Sequence, residues 1–237
     1  MADLGAGRRR VRGLRREEVA AAAGISVDYY TRLEQGREAH PSDAVVDALA
    51  RVLRLAPDAR EHLRRLRGAG VPAPRGGRTS DDDALAERMV ALVGAVRPNP
   101  AYVLDRLSTM VAANDEGHAL FEGIDQLAPE RRNTCRYLMT DPRAPRIFVD
   151  WESIARGAVA HLRAANASNL QDPDLQELVT ELSDKNALFT QWWGAHIVQR
   201  RRASMKRIRT ATGEVVARRY EVLHLPGEEL RMTIWLP

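Results

Sequence analysis

Apolar positions keep a helical rhythm through the first 67 residues of the chain. Patterns run over Leu14 to Ala23, Ser26 to Gln35, Ser42 to Leu55 and Pro57 to Arg67, each with apolar residues three or four apart, as one face of an α-helix requires. The third holds Val45, Leu49, Val52 and Leu53 on one stripe, with Pro41 ahead of it and Ser42 placed to cap its first turn. Periodicity then stops in "GAGVPAPRGGRTSDD", residues 68–82, where Gly, Pro and polar residues cluster as in a linker. Asp81, Asp82 and Asp83 at its end read as solvated charges. Beyond it Leu85, Met89, Leu92, Val93 and Val96 outline one amphipathic helix, halted by "RPNP". Two short strand patterns follow, "AYVLD" and "TMVAAN". A long helical middle, roughly 116 to 200, separates them from three more, "SMKRIRT", "VVARRYEVLHL" and "ELRMTIWL". Alternation in the last sets Leu230, Met232, Ile234 and Leu236 on one face, the pattern of a sheet with one buried side. The expectation is a mainly α domain over 1–67, a linker over 68–82, and a mixed α+β domain over 83–237 whose outer strands pair around a helical insertion.

Between the first two helical patterns stands a sharp corner. Two helices meeting there need a small residue at the contact and a glycine, free to take positive φ, at the turn. Ala20 and Gly24 have that spacing. Val19, Ile25, Tyr30 and Leu33 then point inward, while Val27, Asp28, Tyr29 and Arg32 face outward along the second helix. Ser26 falls at its N-cap, and free amides at a helix start suit a phosphate oxygen. This is the pattern of a helix-turn-helix whose second helix suits a major groove, and the same spacing recurs in many helical hairpins.

Composition narrows the setting. The net charge is +4, and almost all positive charge is arginine, since Lys185 and Lys206 are the only lysines. Arginine binds phosphate through two parallel bonds, so the balance permits nucleic acid, and a GC-rich genome accounts for it equally well. One cysteine, Cys135, excludes an internal disulfide and any multi-cysteine zinc site. No apolar run approaches a membrane span, and "MADLGAGRRRVRG" lacks the apolar core of a secretory signal, so no membrane partner and a cytoplasmic location are expected. No Gly-rich phosphate loop, nucleophile elbow or metal-spaced histidine pair appears, and no enzyme, catalytic residue, metal or cofactor is expected. Cys135 beside Arg136 is the one candidate reactive thiol.

The segment "GLRREEVAAAAGISVDYYTRLEQGREAHPSDAVVDALARVLRL" resembles the helix-turn-helix of bacterial XRE-family regulators. "VDYYTRLEQGR" resembles in particular the subgroup with an MmyB-like ligand-binding C-terminal domain, and the likeness continues in "PAYVLDR", "AAN", "LFEG", "DPRA", "DWE" and "RYEVLHLPGEELRM". What it implies is a PAS-like fold for the second domain, enclosing an apolar cavity for a fatty acid or another small ligand. By the same likeness Val27, Asp28, Tyr29 and Arg32 read base edges, while Arg16, Gln35 and Arg37 hold phosphates. Glu34 is expected to pair locally, since DNA would repel it. Relatives carry another helix ahead of the "RRRVRGL" segment. Here the chain opens "MADLGAGRRR", so either the start is shortened or a helix is lost, which would expose Val19 or Ile25. Relatives also continue past "RMTIWLP", so the last strand is expected to be a poorly protected edge.

Tyr102, Phe121, Tyr137, Phe148, Trp151, Trp192, Trp193 and Trp235 hold most of the aromatic mass of the second domain and read either as cavity wall or as ordinary core; the ligand candidates singled out are Tyr137, Trp151, Trp192, His196 and Arg200, and the run Arg200 to Arg202 equally reads as a solvated face. Arg136, His196 and Arg200 are candidate anchors for a carboxylate. Trp192 and His196, four apart, are expected to share one helical face. Two readings follow. In one, the protein is a homodimeric regulator of an operator in double-stranded DNA, modulated by the ligand. In the other, its shortened first domain has lost DNA binding and the chain is a ligand-binding or protein-interaction module.

Overall fold

The described residues of the first of two compact units, Met1–Gly68 and Ala69–Pro237, fold into four helices. The computed structural model describes residues 14–38, 40–67, 80–225 and 229–237. Helices α1 (Arg16–Ala23), α2 (Val27–Glu34), α3 (Asp43–Val52) and α4 (Pro57–Arg67) fall on the four apolar patterns. Gly24 turns the corner at φ +70°, and the Ile25 N–H donates to the Ala20 carbonyl at 3.0 Å. Ser26 Oγ accepts from the Tyr29 N–H at 3.1 Å, and Ser42 Oγ from the Val45 N–H at 3.4 Å, so both caps sit where the sequence puts them. Helix α1 packs against α2 and α3. Val19, only 3% exposed, is buried with Ala20, Val46, Leu49 and Ala50. The expected exposure of Val19 is therefore overturned, because α3 covers it. Ile25, Tyr30 and Leu33 are half-buried. Residues 1–13, on which the reading of a missing helix rests, lie outside the described residues.

The second unit opens with α5 (Ser80–Ala95), which begins inside the stretch expected to be linker. Residues 68–79 are outside the described set. Strands β1 (Ala101–Leu104) and β2 (Met110–Ala113) follow, then α6 (Asp115–Ala119), α7 (Thr134–Thr140), α8 (Ala144–Ile147), α9 (Trp151–Ala165), α10 (Pro173–Lys185) and α11 (Ala187–Gly194). Strands β3 (Ser204–Arg209), β4 (Val215–Leu225) and β5 (Leu230–Leu236) complete one antiparallel sheet of order β2-β1-β5-β4-β3.

The last strand is thus the middle of the sheet, not its edge. Val103 stands opposite Met232 on one side of it, and Tyr220 opposite Trp235 on the other. Both faces are also covered. Met89 and Val93 of α5 pack on Val103, Leu230 and Met232, while Tyr102, Leu104, Tyr220 and Trp235 meet the helical insertion from the other side. Arg231, Thr233 and Trp235, the residues the alternation placed toward solvent, are consequently buried as well. A helical first unit followed by an α+β unit is the fold class the sequence implies.

Candidate ligand cavity and nucleic-acid interface

Helix α2 presents a row of side chains with nothing packed over it among the described residues of its own unit. Val27 is 41% exposed, an apolar group left in water, and Asp28 and Arg32 are exposed beside it. The Arg32 guanidinium lies 5.7 Å from the centre of the Tyr29 ring and 3.7 Å from the Asp28 carboxylate, so three of the four expected base-reading residues form one linked cluster. Ser26 lends its hydroxyl to the α2 cap, which leaves its part in binding to the helix start. Gln35 and Arg37 are exposed just past the other end. Arg16 has a prior partner: its Nε donates to Glu34 Oε2 at 2.6 Å, tying α1 to α2. Glu34 therefore does pair locally, and a DNA phosphate has to compete with it for Arg16.

In the second unit a narrow cavity of about 10 Å³, room for about one water molecule, lies between the sheet and the insertion. Its walls are apolar: Leu104 from β1, Phe121, Leu138 of α7, Phe148 and Ile154 of α9. Tyr102 and Trp235 add aromatic faces from the sheet, with the Tyr102 and Phe121 rings edge to face at 5.4 Å. Four polar side chains reach it, Thr134, Thr233, Arg201 and Lys206, and no lining residue is acidic.

Lys206 is the unusual member. It is 9% exposed, and its ammonium lies 4.3 Å from the centre of the Tyr220 ring and 5.3 Å from that of Trp235. Burial, and after it the positive charge of Arg201, hold its pKa well below the ordinary lysine value. Trp235 is fully buried, and its indole N–H finds no acceptor among the described residues. The segment leading into β3 is pinned from α9, where His161 Nδ1 accepts the Arg201 backbone N–H at 3.1 Å. Burial drives the His161 pKa well below its ordinary value, so the ring is neutral and able to accept.

None of the five expected ligand residues lines this cavity. Tyr137 is buried behind it, its ring edge to face with Phe121 at 5.5 Å and its hydroxyl donating to the Glu122 carbonyl at 3.3 Å. Trp151 donates from Nε1 to the Leu138 carbonyl at 2.6 Å. Trp192 is buried on α11, but that helix ends at Gly194, and His196 is exposed at φ +53°. The two do not share a helical face, because the chain leaves the helix before the fourth residue. Arg136 is committed to Glu181 through bonds of 2.8 and 3.1 Å, which removes it as an anchor. Arg200 is half-buried next to the residue that does reach the cavity. Of the eight aromatic residues that read as wall or core, Tyr102, Phe121, Phe148 and Trp235 do line it; Arg201, from the run that reads as a solvated face, reaches it too, and the one signal for Lys206 is alternation in "SMKRIRT", which sets it on the same buried face as Ile208.

Other chemistry is weak. Cys135 is fully buried and its thiol is pushed up to about 12, first by burial, so it holds its proton at neutral pH. Among the described residues no group of three or more His, Cys, Asp or Glu side chains is placed to hold a metal ion, and no helix is long and apolar enough to cross a membrane.

Comparison with known families assigns both units. A family model described as the MmyB-like transcription regulator ligand binding domain matches residues 85–237. One described as a helix-turn-helix domain matches residues 6–69. No curated protein matches the chain.

Proposed function

Since the chain belongs to the MmyB-like transcription regulators, we propose that a small apolar ligand held between the sheet and the helical insertion controls how the helix-turn-helix binds its operator. The observation that carries this reading is the cavity itself, apolar on its walls and cationic at Arg201 and Lys206. The lining matches a fatty-acid-like molecule in chemistry, Phe121, Leu138 and Phe148 for its chain and Arg201 for its polar end, and seating one requires the insertion to move off the sheet. The strand order, with the insertion between β2 and β3, supports a PAS-like fold. One short recognition helix rarely supplies enough affinity alone, so the operator-bound form is a homodimer on paired half-sites in the cytoplasm. Ligand acts by preferring one of two arrangements of that dimer. The role is regulatory and not catalytic.

Base reading falls to Val27, Asp28, Tyr29 and Arg32, and phosphate binding to Arg16, Gln35, Arg37 and the α2 start at Ser26. Fluorescence anisotropy of the full chain on DNA from its own upstream region, across a salt series, tests this. Arg32→Ala is expected to cost about 1–3 kcal/mol on the preferred site and to relax its choice, whereas Arg16→Ala weakens all sequences alike and flattens the salt slope. Binding no tighter than to random duplex, at every salt concentration, would transfer the chain to the class of ligand-binding or interaction modules.

A further inference from the structure

Two cations line one narrow gap with no counter-charge. Arg201 and Lys206 border the space between the sheet and the insertion, together with Thr134 of α7 and Thr233 and Trp235 of β5, and no lining residue is acidic. The ring faces of Tyr220 and Trp235 support the Lys206 ammonium at 4.3 and 5.3 Å. Neither that ammonium nor the Arg201 guanidinium has an oxygen to donate to among the described residues. The hydroxyl of Thr233, a residue only 3% exposed, is likewise without a partner among them. Arg231, two residues before Thr233 on β5, adds buried positive charge. The carboxylate that acts on it, Asp105, lies outside the lining and accepts the Thr109 N–H at 2.8 Å. The gap therefore suits a group that accepts hydrogen bonds, carries negative charge and is about as small as water, since it measures about 10 Å³. A water molecule accepts there but has two protons of its own to place, and the lining side chains offer rings, hydroxyls and cations. A monatomic anion has no proton to place.

We propose that this gap is a binding site for chloride, an anion only slightly larger than water, held by Arg201, Lys206 and the Thr233 hydroxyl. The ion joins the segment that enters β3 to β5, the middle strand of the sheet. Burial and the charge of Arg201 both act against the Lys206 ammonium, and a neighbouring anion opposes them while the two rings continue to support it. The proposal stands apart from the apolar-ligand reading, because seating chloride requires no movement of the insertion.

The test is urea unfolding of the full chain, followed by tryptophan fluorescence, as sodium chloride replaces sodium gluconate at fixed ionic strength. Gluconate is too large for the gap. The midpoint is expected to rise with chloride and level off; at ten times the dissociation constant the folded-to-unfolded ratio should be about elevenfold that in gluconate. Bromide should act likewise and quench part of the emission saturably, because Trp235 borders the gap. Lys206→Met and Arg201→Met each remove one charge and keep most of the stem, and both should lose the chloride dependence. Lys185→Met, on an exposed side chain of α10, should keep it. A midpoint that does not respond to chloride, or rises without levelling off, overturns the proposal and leaves the gap to water. So does an undiminished response in both Lys206→Met and Arg201→Met. Titration of the same chain with decanoate reads the apolar-ligand proposal separately. Decanoate binding without a chloride response overturns the ion alone, and a chloride response that levels off without decanoate binding supports the ion while the ligand reading falls.

Discussion

Asn114 is the most demanding side chain in the second unit. Its Oδ1 accepts the Ala101 N–H at 2.9 Å and the Gly117 N–H at 2.8 Å, and its Nδ2 donates to the Val93 carbonyl at 3.0 Å and the Asn99 carbonyl at 2.9 Å. One amide thus ties α5, the turn after it, the start of β1 and the first turn of α6. It is 6% exposed, so water cannot take over these bonds. At a net value near 1 kcal/mol per bond, Asn114→Ala costs about 3–5 kcal/mol, the upper end reflecting two buried N–H groups left without acceptors. All four tryptophans, Trp151, Trp192, Trp193 and Trp235, lie in this unit, so their fluorescence in urea follows it without interference from the first. With a slope of about 2 kcal/mol/M the midpoint should fall by about 2 M. Asn99→Ala is the control, since only its backbone carbonyl is used, and it should stay within about 0.5 kcal/mol of the parent. An Asn114→Ala midpoint within about 0.5 M of the parent would refute the reasoning, because four buried bonds cannot vanish at so small a cost.

Three further outcomes are expected. The Glu181 carboxyl is held at about 2, first by Arg136, so its contribution is complete above its ordinary 4.5 and is lost as pH falls through that window; Glu181→Gln should destabilise by about 1–2 kcal/mol at neutral pH, allowing for screening, and urea titrations should show the gap to the parent closing toward pH 2. Glu34→Gln frees Arg16 from its 2.6 Å partner, so anisotropy should show tighter binding to DNA of every sequence; a change confined to one sequence would contradict the phosphate role of Arg16. Alanine at Gly24 meets open space and is disfavoured by φ +70° alone, whereas at Gly117 its Cβ strikes the Ala101 carbonyl. Gly24→Ala should therefore cost about 1–2 kcal/mol by far-ultraviolet circular dichroism, and Gly117→Ala clearly more by tryptophan fluorescence.

Sequence alone determined what local chemistry decides. Helix and strand positions follow from periods of 3.6 and 2 and from caps such as Ser26 and Ser42, whose partners lie three residues away. The corner at Gly24 and the outward row on α2 are legible for the same reason, since every residue that shapes them lies within one stretch of about twenty. "VVARRYEVLHL" matches β4 from end to end. The first three residues of α5 hold no apolar position, so periodicity alone sets its start after residue 82. What the tertiary structure decided is where distant segments meet. Alternation in β5 names two faces but cannot say that helices cover both, nor that β1 pairs with it on the side away from β4, because that pairing joins residues more than a hundred positions apart. The cavity has the same origin: Tyr102, Phe148, Lys206 and Trp235 come from four elements or loops and share no sequence pattern. Aromatic content and helical spacing led instead to Trp192 and His196, which a helix end separates. A pocket is the space that packing leaves, and only the folded chain defines which side chains face it.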